Sequence, residues 1–283
     1  MNDIPLETAD SRQVIVSGAT GFVGRHLVPL LVASGCDVIA MGRDKNKAHD
    51  LDGFDGVRFA PMDLRQGVRD FRPRPGAALI HLAWPGLPNY RSLFHLEENL
   101  PWSYTFIKQM VGLGVSQVLV AGTCFEYGMQ SGRLAATTEP RPSNPYGMAK
   151  DMLRRQLGFL RDELPFTLQW ARLFYMHGKG QDARSILAQL DAAIDRGDAT
   201  FNMSGGEQLR DYLAVEDVAR QLQTIVHTRD EGMFNICSGQ PISIRRLVEQ
   251  HIAARHASIT MNLGHYPYPD YEPLAFWGEP SLS

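Results

Sequence analysis

Short apolar runs recur along the chain, each closed by glycine, proline or a polar turn, and stretches of helical periodicity separate them. Residues 14–17, 36–41, 57–61, 77–82, 118–121 and 166–173 read as strands, because they are short, largely apolar and bounded by turn residues, and the first of them reads as buried. Residues 22–33, 96–111 and 145–164 carry apolar positions at helical spacing, and Gly112 and Gly114 supply a stop for the second of them. Pro29 lies inside the first helical stretch and is expected to bend or break it. Strand and helix alternating through short connections predict an α/β fold, a doubly wound parallel sheet with helices on both faces. Ligands of such sheets lie at the carboxyl ends of the strands.

Beyond Leu173 the pattern loosens into helices over 185–196, 216–227 and 242–256 and short strands over 201–203 and 234–237. These form a smaller C-terminal lobe for substrate, interleaved with the first. The expected division is a disordered lead over 1–12, a nucleotide-binding domain over 13–175 and a substrate-binding lobe over 176–283.

Size and charge narrow the classes. At 283 residues the chain is near the upper size for one hydrophobic core, and 44% hydrophobic with 21% charged residues describes an ordinary globule. A net charge of -3 provides no basic footprint for nucleic acid. No apolar run approaches the roughly 18 residues of a membrane span, and the polar start reads as a short disordered lead and not as a signal peptide. Cys36, Cys124 and Cys237 are odd in number and lack metal-ligand spacing, which points to reduced thiols in the cytoplasm and to no metal site.

Two motifs carry chemistry. Gly18-Ala19-Thr20-Gly21-Phe22-Val23-Gly24 follows the first strand and opens a helix. Gly18 permits the tight turn, Gly21 lets the backbone approach a pyrophosphate, Gly24 lets helix and strand pack, and the helix N-terminus faces the phosphates. Tyr146 and Lys150 stand four residues apart, on one helix face. An ammonium beside a phenol stabilises the phenolate and pulls its pKa down from about 10 toward working pH, so the pair can exchange a proton with a substrate oxygen while a nicotinamide exchanges a hydride. The acidic residue that would bind a ribose 2′-hydroxyl about 20 residues past the glycine turn is missing. Gly42 fills that slot and Arg43 follows, a pairing suited to a 2′-phosphate and hence to NADP(H) over NAD(H).

Together with Asp63-Leu64, His81-Leu82-Ala83, Thr123 through Gly128 and the segment Arg210-Asp211-Tyr212-Leu213-Ala214-Val215-Glu216-Asp217-Val218-Ala219, these motifs resemble the extended short-chain dehydrogenase/reductases acting on nucleotide-diphosphate sugars, over about residues 14–249. The resemblance implies cofactor contacts from Gly18, Thr20, Gly21, Phe22, Val23, Gly24, Arg43, Asp63, Leu64, Leu82, Ala83, Trp84, Asn99, Tyr146 and Lys150. Asp63 and Leu64 would meet the adenine, Ala83 would lie along the diphosphate, Lys150 would hold the nicotinamide ribose, and Asn99 would support the site from a helix. It implies a catalytic set of Thr123, Tyr146 and Lys150, with Thr123 donating to the reacting substrate oxygen. It places Trp84, Tyr90, Thr123, Cys124, Phe125, Tyr175, His177 and Arg210 toward the substrate, with Arg210 on its diphosphate. Tyr175 occupies the slot of an asparagine used by relatives. Those relatives continue with a helix beyond Trp277, so the outer wall of the pocket is expected to differ. Relatives pair through the helices over 96–111 and 145–164, which implies a homodimer.

Departures from the family's patterns select the reaction. Dehydrating relatives follow the Thr with an Asp-Glu pair, where this chain has Cys124 and Phe125. Relatives that epimerise at C3 and C5 place an acid/base Cys at the slot of Phe125, and Cys124, one residue earlier, reads as a small buried hydrophobe. His177 follows the sixth strand, where some relatives keep a catalytic histidine; a loop histidine without a role is an equal reading. The expected activity is therefore NADPH-dependent reduction of a nucleotide-diphosphate 4-keto-6-deoxyhexose. The alternatives are a 4-epimerase with tightly bound NAD, a disfavoured 4,6-dehydratase and, last, a non-catalytic dinucleotide sensor.

Overall fold

The computed structural model of the chain describes residues 11–44, 46 and 56–282. Seven parallel strands, β1 (Gln13–Ser17), β2 (Asp37–Gly42), β3 (Val57–Pro61), β4 (Ala78–His81), β5 (Gln117–Thr123), β7 (Thr167–Leu173) and β11 (Gly232–Ile236), form the central sheet. Their spatial order is β11-β7-β5-β4-β1-β2-β3. The winding direction reverses between β1 and β4, and the crevice at that switch point is where such a sheet receives a ligand.

Period-two alternation divides the strands other than β11 between two cores. Val14 and Val16 of β1 pack with Leu27, Val28 and Leu31 of α1 (Gly24–Ala33) and with Val218, Leu222 and Ile225 of α5 (Val215–Thr228). Ile15 faces the opposite side with Phe106, Ile107 and Met110 of α2 (Leu100–Gly112) and Leu153, Leu157 and Leu160 of α3 (Pro145–Glu163). A third core joins Leu187 and Leu190 of α4 (Ile186–Arg196) to Leu247 and Val248 of α6 (Ile244–Ala254).

The expected doubly wound architecture is present, with local corrections. α1 runs unbroken through Pro29; complete burial of Leu27, Val28 and Leu31 outweighs one missing backbone donor. The helix expected over 96–111 begins as a π turn, His95–Asn99, before α2. The strand expected over 234–237 is β11, the seventh strand of the main sheet, paired with β7, so residues beyond 175 complete the first lobe and no clean cut falls there. Residues 1–10 of the expected lead lie outside the described residues, whereas Arg12 belongs to the folded body, donating to the Val226 carbonyl at 2.7 Å and to Gln117.

Several short strands were not legible as strands in the sequence. β8 (Tyr175–His177), β10 (Leu209–Ala214) and β12 (Pro241–Ser243) form a three-stranded sheet, and β13 (Thr260–Asn262) pairs with β9 (Thr200–Asn202), the strand that the sequence does announce at 201–203. β14 (Phe276–Gly278) returns to pair with β6 (Gly132–Leu134), which ties the end of the chain to the first lobe. Among the described residues no helix is long and apolar enough to cross a membrane.

Candidate active site

One cavity of about 980 Å³ runs along the carboxyl ends of the central strands. At one end the turn after β1 closes on the loop after β4. Gly18 has φ +76°, and a Cβ there would stand 2.8 Å from the Ala83 nitrogen, so only glycine allows both the turn and the approach. Thr20, Gly21, Phe22, Val23, Gly24, Leu82, Ala83 and Trp84 line this part with Gly18, at the entry to α1. An elongated cavity that begins at a glycine turn and helix entry and ends at a buried lysine fits a dinucleotide.

The far edge of that end is formed by Arg43, Asp44, Asp63, Leu64 and Arg65. Asp63 caps the 3₁₀ turn Leu64–Gln66, accepting the Arg65 backbone N–H at 3.1 Å and the Arg65 Nε at 3.0 Å. That pairing holds the Asp63 carboxyl below the usual range. Arg65 went unread in the sequence; it places a second cation beside Arg43.

The other end of the cavity holds the residues expected to carry the chemistry. β5 delivers Thr123 at its last position, and α3 delivers Tyr146 and Lys150 one turn apart. Asn144 caps α3 by accepting the Gly147 N–H at 2.9 Å. Gly147 is where α3 touches the Thr123 segment: a Cβ there would lie 2.4 Å from the Phe125 carbonyl oxygen. Thr123, Tyr146 and Lys150 are all buried and all line the cavity.

Burial pushes the Tyr146 phenol above its ordinary value, against the lowering expected from its spacing to Lys150, and the Thr123 hydroxyl beside it pulls the other way. Burial also pulls Lys150 down to about 7. Lys150 Nζ donates to the Ala121 carbonyl at 2.7 Å and lies 3.8 Å from the Trp84 ring centroid.

Thr123 is itself held from behind. Its N–H donates to Glu126 Oε1 at 2.8 Å, and its hydroxyl accepts the Phe125 N–H at 3.3 Å. Glu126, fully buried, also accepts from Trp170 Nε1 at 3.0 Å and from Arg172 Nε at 2.8 Å. The Glu126 carboxylate is committed to this frame.

Around the reacting end stand Tyr90, Phe125, Tyr175, Tyr212 and Tyr271. Tyr90 and Phe125 are 4.5 Å apart between centroids, and Tyr271 lies 5.9 and 6.1 Å from them. Cys124 is buried on the same wall and its thiol is pushed up by burial, which makes it a poor acid at neutral pH. His177 lines the cavity as well, held below its usual range chiefly by burial.

Two expected contacts are displaced. Arg210 does not line the cavity: Nη2 pairs with Glu272 at 2.9 Å, and Nη1 donates to the Leu209 and Leu274 carbonyls at 2.8 and 3.1 Å. The Tyr175 hydroxyl donates to the same Glu272 carboxylate. Asn99 sits behind the wall, donating to the Pro85 carbonyl at 2.8 Å and to His95 Nδ1 at 3.1 Å, so it supports the site without lining it. Arg184, Tyr212 and Tyr271 line the cavity unread, and in each case the signal is spatial. Among the described residues no group of three or more His, Cys, Asp or Glu side chains could hold a metal ion.

The chain is similar to known proteins over most of its length. A protein of Aggregatibacter actinomycetemcomitans named dTDP-6-deoxy-L-talose 4-dehydrogenase (NAD(+)) is 34% identical over 94% of this chain and 98% of its own. The dTDP-4-dehydro-6-deoxyglucose reductase of Escherichia coli is 23% identical over 83% of this chain and 78% of its own. Among solved structures, MoeE5 in complex with UDP-glucuronic acid and NAD superimposes with a TM-score of 0.77 at 26% identity, covering 95% of this chain and 90% of that one. The model of the NAD dependent epimerase/dehydratase family matches residues 14–237, and the chain belongs to that family.

Proposed function

We propose that the protein reduces the C4 keto group of a nucleotide-diphosphate 4-keto-6-deoxyhexose with NADPH. The observation that carries this reading is the makeup of the reacting end. Thr123, Tyr146 and Lys150 converge there, and the wall beside them is Phe125 and tyrosines, with Glu126 locked to Arg172. Hydride and proton exchange needs only the first three residues. Dehydration needs a further acid and base, and the carboxylate nearest in sequence is buried away from the cavity in an ion pair.

A nicotinamide held beside Lys150 would supply the hydride. Tyr146 donates its proton to the C4 oxygen, Thr123 donates a hydrogen bond to that oxygen, and Lys150 orients the cofactor ribose and stabilises the phenolate left behind. The aromatic wall suits the methyl group of a 6-deoxy sugar. The relatives named above, a 4-dehydrogenase and a 4-keto reductase of dTDP-6-deoxysugars, run this chemistry in opposite directions according to their names.

NADP(H) preference is part of the reading, because Arg43 and Arg65 edge the adenosine end while Gly42 ends β2 without a carboxylate. Asp44 shares that edge, and bonding of a ribose 2′-hydroxyl to it would favour NAD(H) instead. The test is a panel of nucleotide-diphosphate sugars assayed with NADPH and NADH, with NMR of the products, on the wild type and Arg43→Ala. Consumption of a 4-keto-6-deoxyhexose with one equivalent of NADPH is expected, with unmodified hexoses inert. Arg43→Ala should weaken NADPH alone, by about 1.5–3 kcal/mol, the worth of a hydrogen bond to a charged group. Net conversion of a hexose to its 4-keto-6-deoxy form, or purified enzyme already carrying NAD, would overturn the reading.

A homodimer belongs to the same proposal. Met148, Met152 and Phe159 lie exposed along α3, Phe159 at 75%, with spacings of one and three turns that place them on one face. Sedimentation velocity should give a dimer; a monomer at micromolar concentration would refute it. A cytoplasmic location fits three buried free thiols.

A further inference from the structure

Lys150 lies under an aromatic face that a small hydrogen-bonded network holds in place. The Trp84 ring centroid is 3.8 Å from Nζ. The indole N–H donates to His95 Nδ1 at 3.1 Å, and Asn99 Nδ2 donates to the same nitrogen at 3.1 Å. His95 Nε2 stands 2.9 Å from the Asn89 carbonyl oxygen. A carbonyl only accepts, so Nε2 carries the proton and Nδ1 offers its lone pair to both donors. This fixes the imidazole as a neutral tautomer, in keeping with a pKa lowered chiefly by burial. It also fixes the indole plane, with its edge satisfied and its face toward the ammonium.

We propose that Trp84, oriented by His95 and Asn99, is a positioning residue that keeps Lys150 cationic and thereby sets the pH at which Tyr146 exchanges its proton.

The groups around Lys150 leave this task open. His81 of β4 is fully buried and hydrogen-bonded through Nδ1 to Ser17 at 2.8 Å; burial lowers its pKa to about 3, so it is neutral. Glu126, from the 3₁₀ turn after β5, favours the cation but is bonded to Arg172 and Trp170. On α3 itself, Asp151 turns to Arg154 and Arg155, and Tyr146 is a phenol held above its ordinary pKa chiefly by burial. Burial brings Lys150 to about 7, where the amine is divided between two charge states at neutral pH. A desolvated cation over an indole face gains enough to move such a balance by about one unit or more.

The effect on turnover rests on the reductase reading; the ionisation of Lys150 does not, and it is measured separately. The chain has five lysines, so selective ¹³C labelling at lysine Cε gives a spectrum in which Lys150→Met assigns the signal. Titrated in the full chain without cofactor, Trp84→Leu should lower the Lys150 pKa by about one unit or more. Trp84→Phe should fall between, and His95→Leu, which frees the indole, should lower it less. An unchanged or raised pKa in Trp84→Leu overturns the proposal. If that variant does not fold, judged by the four other lysine signals, an unchanged pKa in Trp84→Phe overturns it equally. With substrate, the limb of the kcat/KM pH profile that reports Tyr146 should move to higher pH in Trp84→Phe. A shifted lysine with an unmoved limb would overturn the link to Tyr146.

Discussion

Replacing Tyr146 by Phe is expected to lower kcat by roughly 10²–10⁴ while leaving dinucleotide affinity nearly unchanged. That range is the usual share of a positioned acid or base. The substitution removes one oxygen from a side chain packed against Tyr90, His95 and Phe125, at centroid distances of 5.7, 5.2 and 6.0 Å, so the ring remains as a wall. Nothing about the glycine turn or the Arg43 edge changes. Lys150→Met should behave differently, damaging both kcat and cofactor affinity, because in the proposed reaction the ammonium serves the ribose and the phenolate together. Stopped-flow turnover and fluorescence titration of the dinucleotide separate the two cases. Full turnover by Tyr146→Phe would remove Tyr146 from the chemistry.

The largest expected loss of stability comes from Glu126→Gln. Glu126 and Arg172 are both fully buried, and their 2.8 Å pair is surrounded by Trp170 Nε1, the Tyr127 hydroxyl and the Ala136 carbonyl. Removing one charge strands the other in a low-dielectric interior, at a cost of about 3–5 kcal/mol. That is a large fraction of the roughly 5–15 kcal/mol by which a native domain is stable. Urea unfolding should show a lower midpoint with an unchanged slope. Combining Glu126→Gln with Arg172→Met should recover much of the loss, since no uncompensated charge remains. Equal losses in the single and double variants would mean that the cost arises from packing. Residual activity in Glu126→Gln should fall by more than the unfolded fraction explains, because the amide leaves one acceptor oxygen in place of two for the Thr123 N–H, the Trp170 indole and the Arg172 guanidinium.

Motifs built from neighbouring residues were legible without a structure. The glycine turn and the Tyr146–Lys150 pair rest on backbone geometry over a few residues, and their spacing alone puts them where the cavity requires. Arg210 shows the opposite case. Its segment reads as a phosphate contact, yet the guanidinium is engaged by Glu272, 62 residues along the chain, together with the Leu274 carbonyl. No local pattern announces a partner that distant. His95 escaped notice for a related reason: its part in the site lies in the hydrogen bonds of Trp84, Asn99 and Asn89 to its two nitrogens, and a lone histidine at a helix start carries no such information.

By itself the sequence determined the alternating strand–helix plan, the glycine turn, and a Tyr–Lys pair on one helix face, since these depend on local periodicity and on the steric freedom of glycine. Tertiary structure alone decided that β11 completes the central sheet, that β14 binds the tail back to β6, that Glu126 is locked to Trp170 and Arg172, and that Arg65 joins Arg43 at the cavity edge. Each of these is a pairing between segments far apart in the chain. Short polar strands and single charged residues find such partners by burial and hydrogen-bond satisfaction once the main sheet exists, and that selection leaves no period in the sequence to read.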